Sequence, residues 1–370
     1  MIRPRGVHWW NVLRLLFARR QRVPSADMLH VFLCLADHHE PMVGGAPMHV
    51  QRERVDRWVR EYPRSVAGIQ DSRGRPPQHT FFYPAEEYNP EHIEKIAGLC
   101  RQNLGDVEVH LHHDNDTADH LRDTLEGFKE RLFHEHGLLR KNGQGEITYG
   151  FVHGNWALNN SRPDGRWCGV NNELTVLRET GCYADFTMPS APSPTQTRTI
   201  NRIYYASGDE SRPKAHDVGV PAQVGVEPPR GSLLLVQGPL GLDWGRRKWG
   251  WLPRLENAAL HAGFSPTMAR FDLWLRAGVG IVGQPHWVFV KLHTHGAPER
   301  NAAMLLGEPM QTFHQDLATY AARHPWLRYY YLTAREMGDL VHQAEAGAKE
   351  PTFGEPASTT LRVARPRSVQ

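Results

Sequence analysis

Histidine and aspartate residues concentrate at a few points of this 370-residue sequence. The densest group is "VHLHHDNDT", in which three histidines and two aspartates lie between His110 and Asp116. Imidazole and carboxylate groups are ligands that Zn²⁺, Mn²⁺, Fe²⁺, Co²⁺ and Ni²⁺ share in proteins. We therefore predict a divalent-metal site, with zinc as the first choice of metal and the other four as alternatives.

The safest ligand in this group is His110, because it directly follows an alternating apolar run. If the strand continues, alternation places His110, His112 and Asp114 on one face. If the chain turns earlier, His113 or Asp114 lies closer to His110. Capping of the next helix is the competing role for Asp114. We predict that His110 binds the metal together with His112, His113 or Asp114.

A second group of polar residues, "ADHHEP", ends an apolar run at residues 28–36. Strand alternation places Asp37 and His39 on one face and His38 on the other. We predict that Asp37 is a catalytic base and that His39 is a metal ligand, whereas a polar strand end before the turn at Pro41 is the alternative interpretation.

Further candidates stand at three later strand ends. In "KLHTHG", His293 and His295 share a face, where either residue could protonate a leaving group or bind the metal. His153, at the start of "HGNW", is predicted to be another metal ligand, and Asp185, in "ADFT", is predicted to be an alternative base.

The substrate is predicted from the loop at residues 152–173, which is rich in amide and indole side chains. Amides pair with hydroxyl groups, and an indole face packs on the apolar face of a sugar ring. We predict that Asn155, Trp156 and Asn159 bind a carbohydrate, and that Arg198 or Lys291 holds an acidic group on it. The alternative is a loop ordered by its own hydrogen bonds.

Eight short apolar runs separate segments with helical signals. One such helix, at residues 89–103, opens with an asparagine cap followed by proline. Repeated alternation of strand and helix predicts a parallel sheet, and seven or eight units favour a single-domain (β/α) barrel whose functional groups follow the strand ends. The runs comprise residues 28–36, 79–85, 106–112, 149–157, 182–188, 232–238, 286–293 and 328–334.

Three regions are expected along the chain. Residues 1–26 form a basic amphipathic extension, residues 27–345 the barrel, and residues 346–370 a flexible tail rich in small and polar residues. The extension is too short to span a bilayer, so its two interpretations are weak peripheral contact with a membrane and a helix that covers the barrel.

Composition excludes several classes of function. The formal net charge is only +3, which argues against a nucleic-acid partner. The GxxxxGK[ST] phosphate-binding loop and the GxSxG motif of serine hydrolases do not occur in the sequence. Four scattered cysteines do not make a disulfide framework, which favours the reducing cytoplasm.

The order of these motifs, from "LADHHEP" to "LTAREM", resembles the polysaccharide deacetylase-like superfamily with NodB homology, over roughly residues 28–345. The resemblance implies a distorted (β/α)7 barrel that binds a divalent metal and removes acetyl groups from N-acetylated or O-acetylated sugars. Carried over by position, it implies a first-motif aspartate at Asp37, a histidine pair begun by His110 and completed by His113 or Asp114, and a late histidine at His293 or His295.

We therefore expect a metal-dependent carbohydrate deacetylase acting on cell-surface polysaccharides or related glycans. Two alternatives remain open at this point. The first is an amidohydrolase-like enzyme that cleaves C–N or C–O bonds of a non-acetylated substrate, and the second is a barrel that binds carbohydrate without catalysis.

Overall fold

All eight apolar runs form β-strands in the computed structural model, which describes residues 27–354. The strands are β1 (Leu29–His38), β2 (His79–Pro84), β3 (Gly105–Leu111), β4 (Arg140–Lys141), β5 (Ile147–His153), β6 (Cys182–Asp185), β7 (Ile203–Ala206), β8 (Val220–Pro221), β9 (Leu233–Val236), β10 (Gly241–Lys248), β11 (Leu252–Glu256), β12 (Ala259–Leu260), β13 (Trp287–Thr294) and β14 (Leu327–Leu332).

Helices follow most of these strands. The α-helices of the described part are α1 (Met48–Ser65), α2 (Pro90–Arg101), α3 (Ala118–His134), α4 (Glu173–Glu179), α5 (Met268–Ala277), α6 (Glu299–Leu305), α7 (Glu308–Arg323) and α8 (Ala334–Glu345). Helix α2 begins as the sequence predicts, because the Asn89 side chain accepts hydrogen bonds from the backbone of Glu91 and His92. None of the described helices is long and apolar enough to cross a membrane.

One large sheet dominates the molecule. Its strands run in the order β12-β13-β1-β2-β3-β5-β6-β9-β7-β8, with β14 also paired to β1 and β4 to β5, while β10 and β11 form a separate hairpin. The eight predicted strands pair with one another in parallel, and β4, β7 and β8 join in antiparallel fashion. The prediction of a mostly parallel α/β sheet is therefore confirmed.

The sheet has two buried faces, as parallel sheets usually do. In β1, Val31, Leu33 and Leu35 belong to the core under helices α1–α7, which we call the outer face. Phe32 and Cys34 belong to a second core on the opposite, inner face, where α8 packs. Alternate residues of one strand thus enter two different environments.

The sheet curves strongly around its inner face. Gly238, just after β9, lies against the backbone of Lys291 in β13, where any larger residue would clash with the carbonyl oxygen. Yet within residues 27–354 the two strands are not hydrogen-bonded neighbours, and the sheet ends at β12 and β8. The mostly parallel arrangement is found, but the closed barrel expected from the strand count is not.

The chain after α8 is packed against the protein as far as it is described. The Phe353 ring packs at a tilt against Tyr330, with 4.9 Å between the ring centroids, and the Arg73 guanidinium lies over the Phe353 ring. The Gln343 side chain also pairs with the backbone of Thr352. Residues 346–354, the described part of the predicted tail, therefore contact the rest of the protein, and the flexibility of the tail stays a prediction. The rest of that tail and the predicted amphipathic extension at residues 1–26 lie outside the described residues.

A buried ion pair holds the segment that leads into the edge strand β12. Arg270 on α5 donates to both carboxylate oxygens of Glu256, at 2.7 and 2.8 Å. The same guanidinium also donates to the carbonyl groups of Ala259, Phe264 and Ser265. These hydrogen bonds fasten β11 and β12 to the helix.

Replacing Arg270 with methionine should destabilise the protein by about 3–5 kcal/mol, because the Glu256 carboxylate would remain buried without its partner. Arg276, on the same helix, pairs with Asp272 at an exposed position and is the matched control. Its replacement with methionine should cost at most about 1 kcal/mol. Urea unfolding measures both free energies, and equal losses in the two variants would contradict the assignment.

Two ionisable side chains are buried near each other below the edge where the parallel strands end. Lys291 donates to the Phe186 carbonyl oxygen at 2.7 Å, and burial lowers its pKa to about 8. Asp185 accepts from the backbone and hydroxyl groups of Thr187, but burial outweighs these bonds and the charge of Lys291, and raises its pKa to about 7.

The Asp185 carboxyl should make the stability depend on pH. Because its pKa is higher in the folded than in the unfolded protein, its contribution is full below about pH 4 and is lost as the pH rises towards 7. The free energy of unfolding of the wild type relative to Asp185→Asn should fall by up to about 1.4 kcal/mol per pH unit in that window. Urea unfolding between pH 5 and 7 tests this, with Asp119→Asn, an exposed site on α3, as the control. A pH-independent difference for Asp185→Asn would exclude the raised pKa.

Candidate metal centre

The ends of the parallel strands meet at one edge of the sheet. Register pairs His38 of β1 with Phe82 of β2, Pro84 of β2 with His110 of β3, and Asp37 of β1 with Thr294 of β13. Side chains that follow these strands therefore come together, as the sequence predicts. We call the resulting group of donors the mouth cluster; it consists of His38, Glu40, His110, His112 and His295.

The Glu40 carboxylate is the centre of the mouth cluster. Its Oε1 atom lies 3.1 Å from His110 Nε2, 3.6 Å from His112 Nε2 and 3.6 Å from His295 Nδ1. The His38 ring completes the group, with its centroid 4.8 Å from that of His110 and 4.7 Å from that of His295. Four imidazoles thus surround one carboxylate.

Hydrogen bonds on the far side of two rings determine their tautomers. His110 Nδ1 is 2.7 Å from the Val152 carbonyl oxygen, which can only accept, so this nitrogen carries the hydrogen. His112 Nδ1 likewise donates to Glu86 at 2.6 Å. Each Nε2 therefore presents a lone pair to Glu40 unless it is protonated. Two nitrogen lone pairs and a carboxylate facing one another need a positive charge between them, either protons or a cation.

The pKa values show how strongly these groups act on one another. Burial alone would raise the pKa of Glu40, but its hydrogen bond to His110 and the charges of the neighbouring histidines lower it. Burial would lower the pKa of His112, but the Glu86 hydrogen bond and the charge of Glu40 raise it. Burial, together with the surrounding histidines, holds the pKa of His38 well below its usual range. His38 is thus a neutral ligand or base at neutral pH.

The mouth cluster opens to solvent on one side. His38 and His110 are buried, whereas 30% of the His112 side chain and 37% of the His295 side chain are exposed. Trp156 borders this opening, with its ring 6.1 Å from that of His295, and its indole nitrogen is buried without a hydrogen-bond partner among the described residues. A small molecule could therefore reach the donors from the Trp156 side.

Several predicted residues contribute to this site. His110 and His295 are members of the mouth cluster, and Trp156 lies beside it. His293 stands on the inner face behind them, with its ring 6.4 Å from that of His38.

The prediction for the end of β1 selected the wrong face. Asp37 and His39 do lie together, but on the outer face, where Asp37 accepts hydrogen bonds from His39 and His79, at 2.9 and 3.0 Å, and from the Gly296 backbone. The His39 ring packs edge-on against Trp58. His38 and Glu40, which sequence reasoning missed, face the mouth instead. Because both faces of a parallel sheet are apolar, alternation along β1 carries no signal of which face is which.

Two other predicted ligands belong to a separate group. His153 lies two residues after Phe151 on β5 and therefore on the same, outer face of the sheet. The His153 ring is 4.7 Å from the His113 ring. Cys168 and Glu173 complete this buried group, which we call the rear cluster. The expected single metal site is therefore divided into two by the sheet, with His110 on the inner face and His113 and His153 on the outer face.

The remaining predicted ligand, base and substrate residues have other partners. Asp114 is exposed and accepts a hydrogen bond from the Trp167 backbone, so it stabilises a loop outside both clusters. Asp185 is buried and bonds to Thr187. Asn159 is also fully buried, where its side-chain oxygen accepts from Ala215, so it cannot contact a substrate in this conformation.

Asn155, Arg198 and Lys291 do not join either cluster. Asn155 adopts a left-handed backbone conformation, with φ of 54°, in the turn that leads to Trp156. Arg198 is exposed and pairs with Asp217, and the Lys291 ammonium is buried against the Phe186 carbonyl oxygen. Neither cation therefore lies at the mouth cluster, whereas Asn155 directly precedes Trp156, which borders it.

Comparison with known proteins does not assign the chain to a family. No protein-family model matches the chain, and no curated protein is significantly similar to it. The likeness to polysaccharide deacetylases rests on the sequence motifs alone, and the geometry of the two clusters carries the functional argument.

Proposed function

We propose that this protein is a metal-dependent hydrolase that removes acyl groups from N-acylated or O-acylated carbohydrates at the mouth cluster. The observation that carries the proposal is the convergence of two imidazole Nε2 atoms on the Glu40 carboxylate. Both rings, His110 and His112, have their Nδ1–H groups anchored elsewhere. Such second-sphere bonds are typical of histidines that bind metal.

The donor set fits a divalent cation of the zinc type, with nitrogen and oxygen ligands and one open side. Glu40, His110 and His112 would hold it. A cation there would polarise an acyl carbonyl and lower the pKa of a nearby water molecule. Zinc is the preferred ion, with manganese, iron, cobalt and nickel as alternatives, since the ligand types do not discriminate among them.

Proton transfer is assigned to the two remaining histidines. His38 is neutral because burial and its neighbours lower its pKa, so it can accept a proton from water. His295 also borders Glu40 and is the more exposed of the two, so it can pass a proton to the departing amine or alcohol. Asp37, expected as the base, is enclosed on the outer face with its oxygen atoms already bonded.

A carbohydrate substrate is supported by exposed aromatic groups. The β10–β11 hairpin exposes Trp244, Trp249 and Trp251, and the ammonium group of Lys248 lies 4.4 Å from the Trp249 ring centre. The hairpin leads directly to β12, which pairs with β13 at His293. Exposed indole faces with adjacent cations suit sugar rings that carry acidic groups.

Metal analysis tests the mouth cluster directly. Purified His110→Ala should contain one fewer divalent ion per chain than the wild type, because a ligand with a fixed tautomer has been removed. His39→Ala is the matched control, since His39 is also a buried strand-end histidine but lies on the outer face. Its metal content should equal that of the wild type. Full metal content in His110→Ala would refute the assignment.

Hydrolysis of acylated sugars tests the reaction. The wild type should release acetate from a panel of N-acetylated and O-acetylated oligosaccharides, and Glu40→Gln should lower kcat/KM by roughly 10²–10³-fold, because several kcal/mol of transition-state stabilisation depend on the cation. Glu86→Gln, which alters only the acceptor behind His112, should weaken metal binding by about 10–100-fold.

Other outcomes of the same panel separate the alternatives. Cleavage of simple amides without any acetate release from sugars would favour the amidohydrolase-like reaction. Binding of oligosaccharides by a metal-free protein without turnover would favour a non-catalytic carbohydrate-binding protein.

A further inference from the structure

The rear cluster gathers four metal-binding side chains in a space closed to solvent. The donor atoms of His113, His153, Cys168 and Glu173 all lie within 4.8 Å of one another. His153, Cys168 and Glu173 are fully buried, and only 5% of the His113 side chain is exposed. Glu173 Oε1 is 3.1 Å from His113 Nε2 and 3.4 Å from His153 Nε2.

The two imidazoles of the rear cluster are oriented from behind. His113 Nδ1 bonds to Asp116 at 3.0 Å, and His153 Nδ1 bonds to the Gly154 carbonyl oxygen. Both Nε2 atoms therefore point at Glu173. His153 Nε2 is buried and has no hydrogen-bond partner among the described residues, although it faces a carboxylate. A carboxylate behind a histidine is a frequent second-sphere partner at zinc sites.

The sulfur atom is in a polar setting as well. Cys168 Sγ lies 3.4 Å from Glu173 Oε2 and receives backbone N–H groups from Asn160 at 3.2 Å and Val170 at 3.5 Å. A cysteine that binds a metal ion does so after its thiol proton has been displaced. The two N–H groups then stabilise the thiolate, which is the form that binds metal.

Protonation of His113 is the competing explanation of this geometry. An imidazolium between Asp116 and Glu173 would satisfy both carboxylates. It would leave His153 Nε2 buried without a partner, and it would give the N–H groups around Cys168 no thiolate to stabilise. A divalent cation engages all four donors at once.

We propose that the rear cluster is a second, structural metal site that binds Zn²⁺ through His113, His153, Cys168 and Glu173. Four protein ligands in a closed space are typical of structural rather than catalytic zinc. The ligands come from the end of β5, from the segment after β3, from the loop after β5 and from the start of α4, so the ion would fasten that loop to the sheet.

The proposed ion would also affect the mouth cluster. Trp156 lies three residues after His153 in the fastened loop, and its ring borders the mouth cluster. Gly169, next to Cys168, has φ of +99° and packs against the Asp116 backbone, where a side chain would clash. The loop is thereby held at both ends, and the site is independent of the reaction proposed above.

Cobalt spectroscopy distinguishes the two sites, because the mouth cluster contains no cysteine. The full-length protein, stripped of metal and reconstituted with Co²⁺, should show a thiolate-to-cobalt charge-transfer band in the near ultraviolet. The band should persist in His110→Ala and in Cys182→Ser, a buried cysteine outside both clusters, and should be lost in Cys168→Ser together with one metal ion per chain. No band in the wild type, or an undiminished band in Cys168→Ser, would overturn the proposal.

X-ray absorption of the zinc-loaded wild type provides a test that does not depend on a variant folding. A sulfur neighbour at about 2.3 Å from zinc is expected. A spectrum with only nitrogen and oxygen neighbours would overturn the rear site while leaving the mouth site unaffected. If the zinc-loaded wild type holds one ion per chain instead of two and the spectrum still shows the sulfur neighbour, the rear site is supported. Only the mouth site is then contradicted.

Discussion

The pairing of β1 on both of its edges is the constraint on which the rest of the molecule depends. One edge of β1 pairs with β13 along its length, and the other pairs first with β14 and then with β2. This parallel register aligns the strand ends, so that His38 and Glu40 meet donors from β3 and from the segment after β13. A shift of one residue would send the wrong side chains to the mouth.

The strands could be predicted from the sequence because each is a short apolar run between polar segments. The face of the sheet on which each side chain lies could not be predicted, because both sides of the parallel sheet are buried. Asp37 and His38 are equally enclosed, yet one lies among outer-face partners and the other at the mouth. Only the packing of helices determines which face encloses the site, and that information is distributed over the whole chain.

The members of the rear cluster could not be predicted from local sequence patterns either. His113 and His153 stand at strand ends, where the sequence predicts ligands, but Cys168 and Glu173 come from a long loop and a helix start with no metal-binding spacing between them. A single cysteine in such a loop usually has no ligand role. Here the loop contains left-handed residues at Asn155 and Asn159, and its Cys168 sulfur lies beside the two histidines.

The two clusters share one electrostatic requirement and differ in access. In each, a buried carboxylate faces imidazole nitrogens whose rings are already bonded on their other side, so a positive charge must lie among them. Water can reach the mouth cluster through His112 and His295, whereas the rear cluster is closed. An open site can exchange ligands and accept a substrate, while a closed one can only hold its neighbours in place. Because Trp156 connects the two along the chain, a metal ion in the closed cluster would stabilise the wall of the open one.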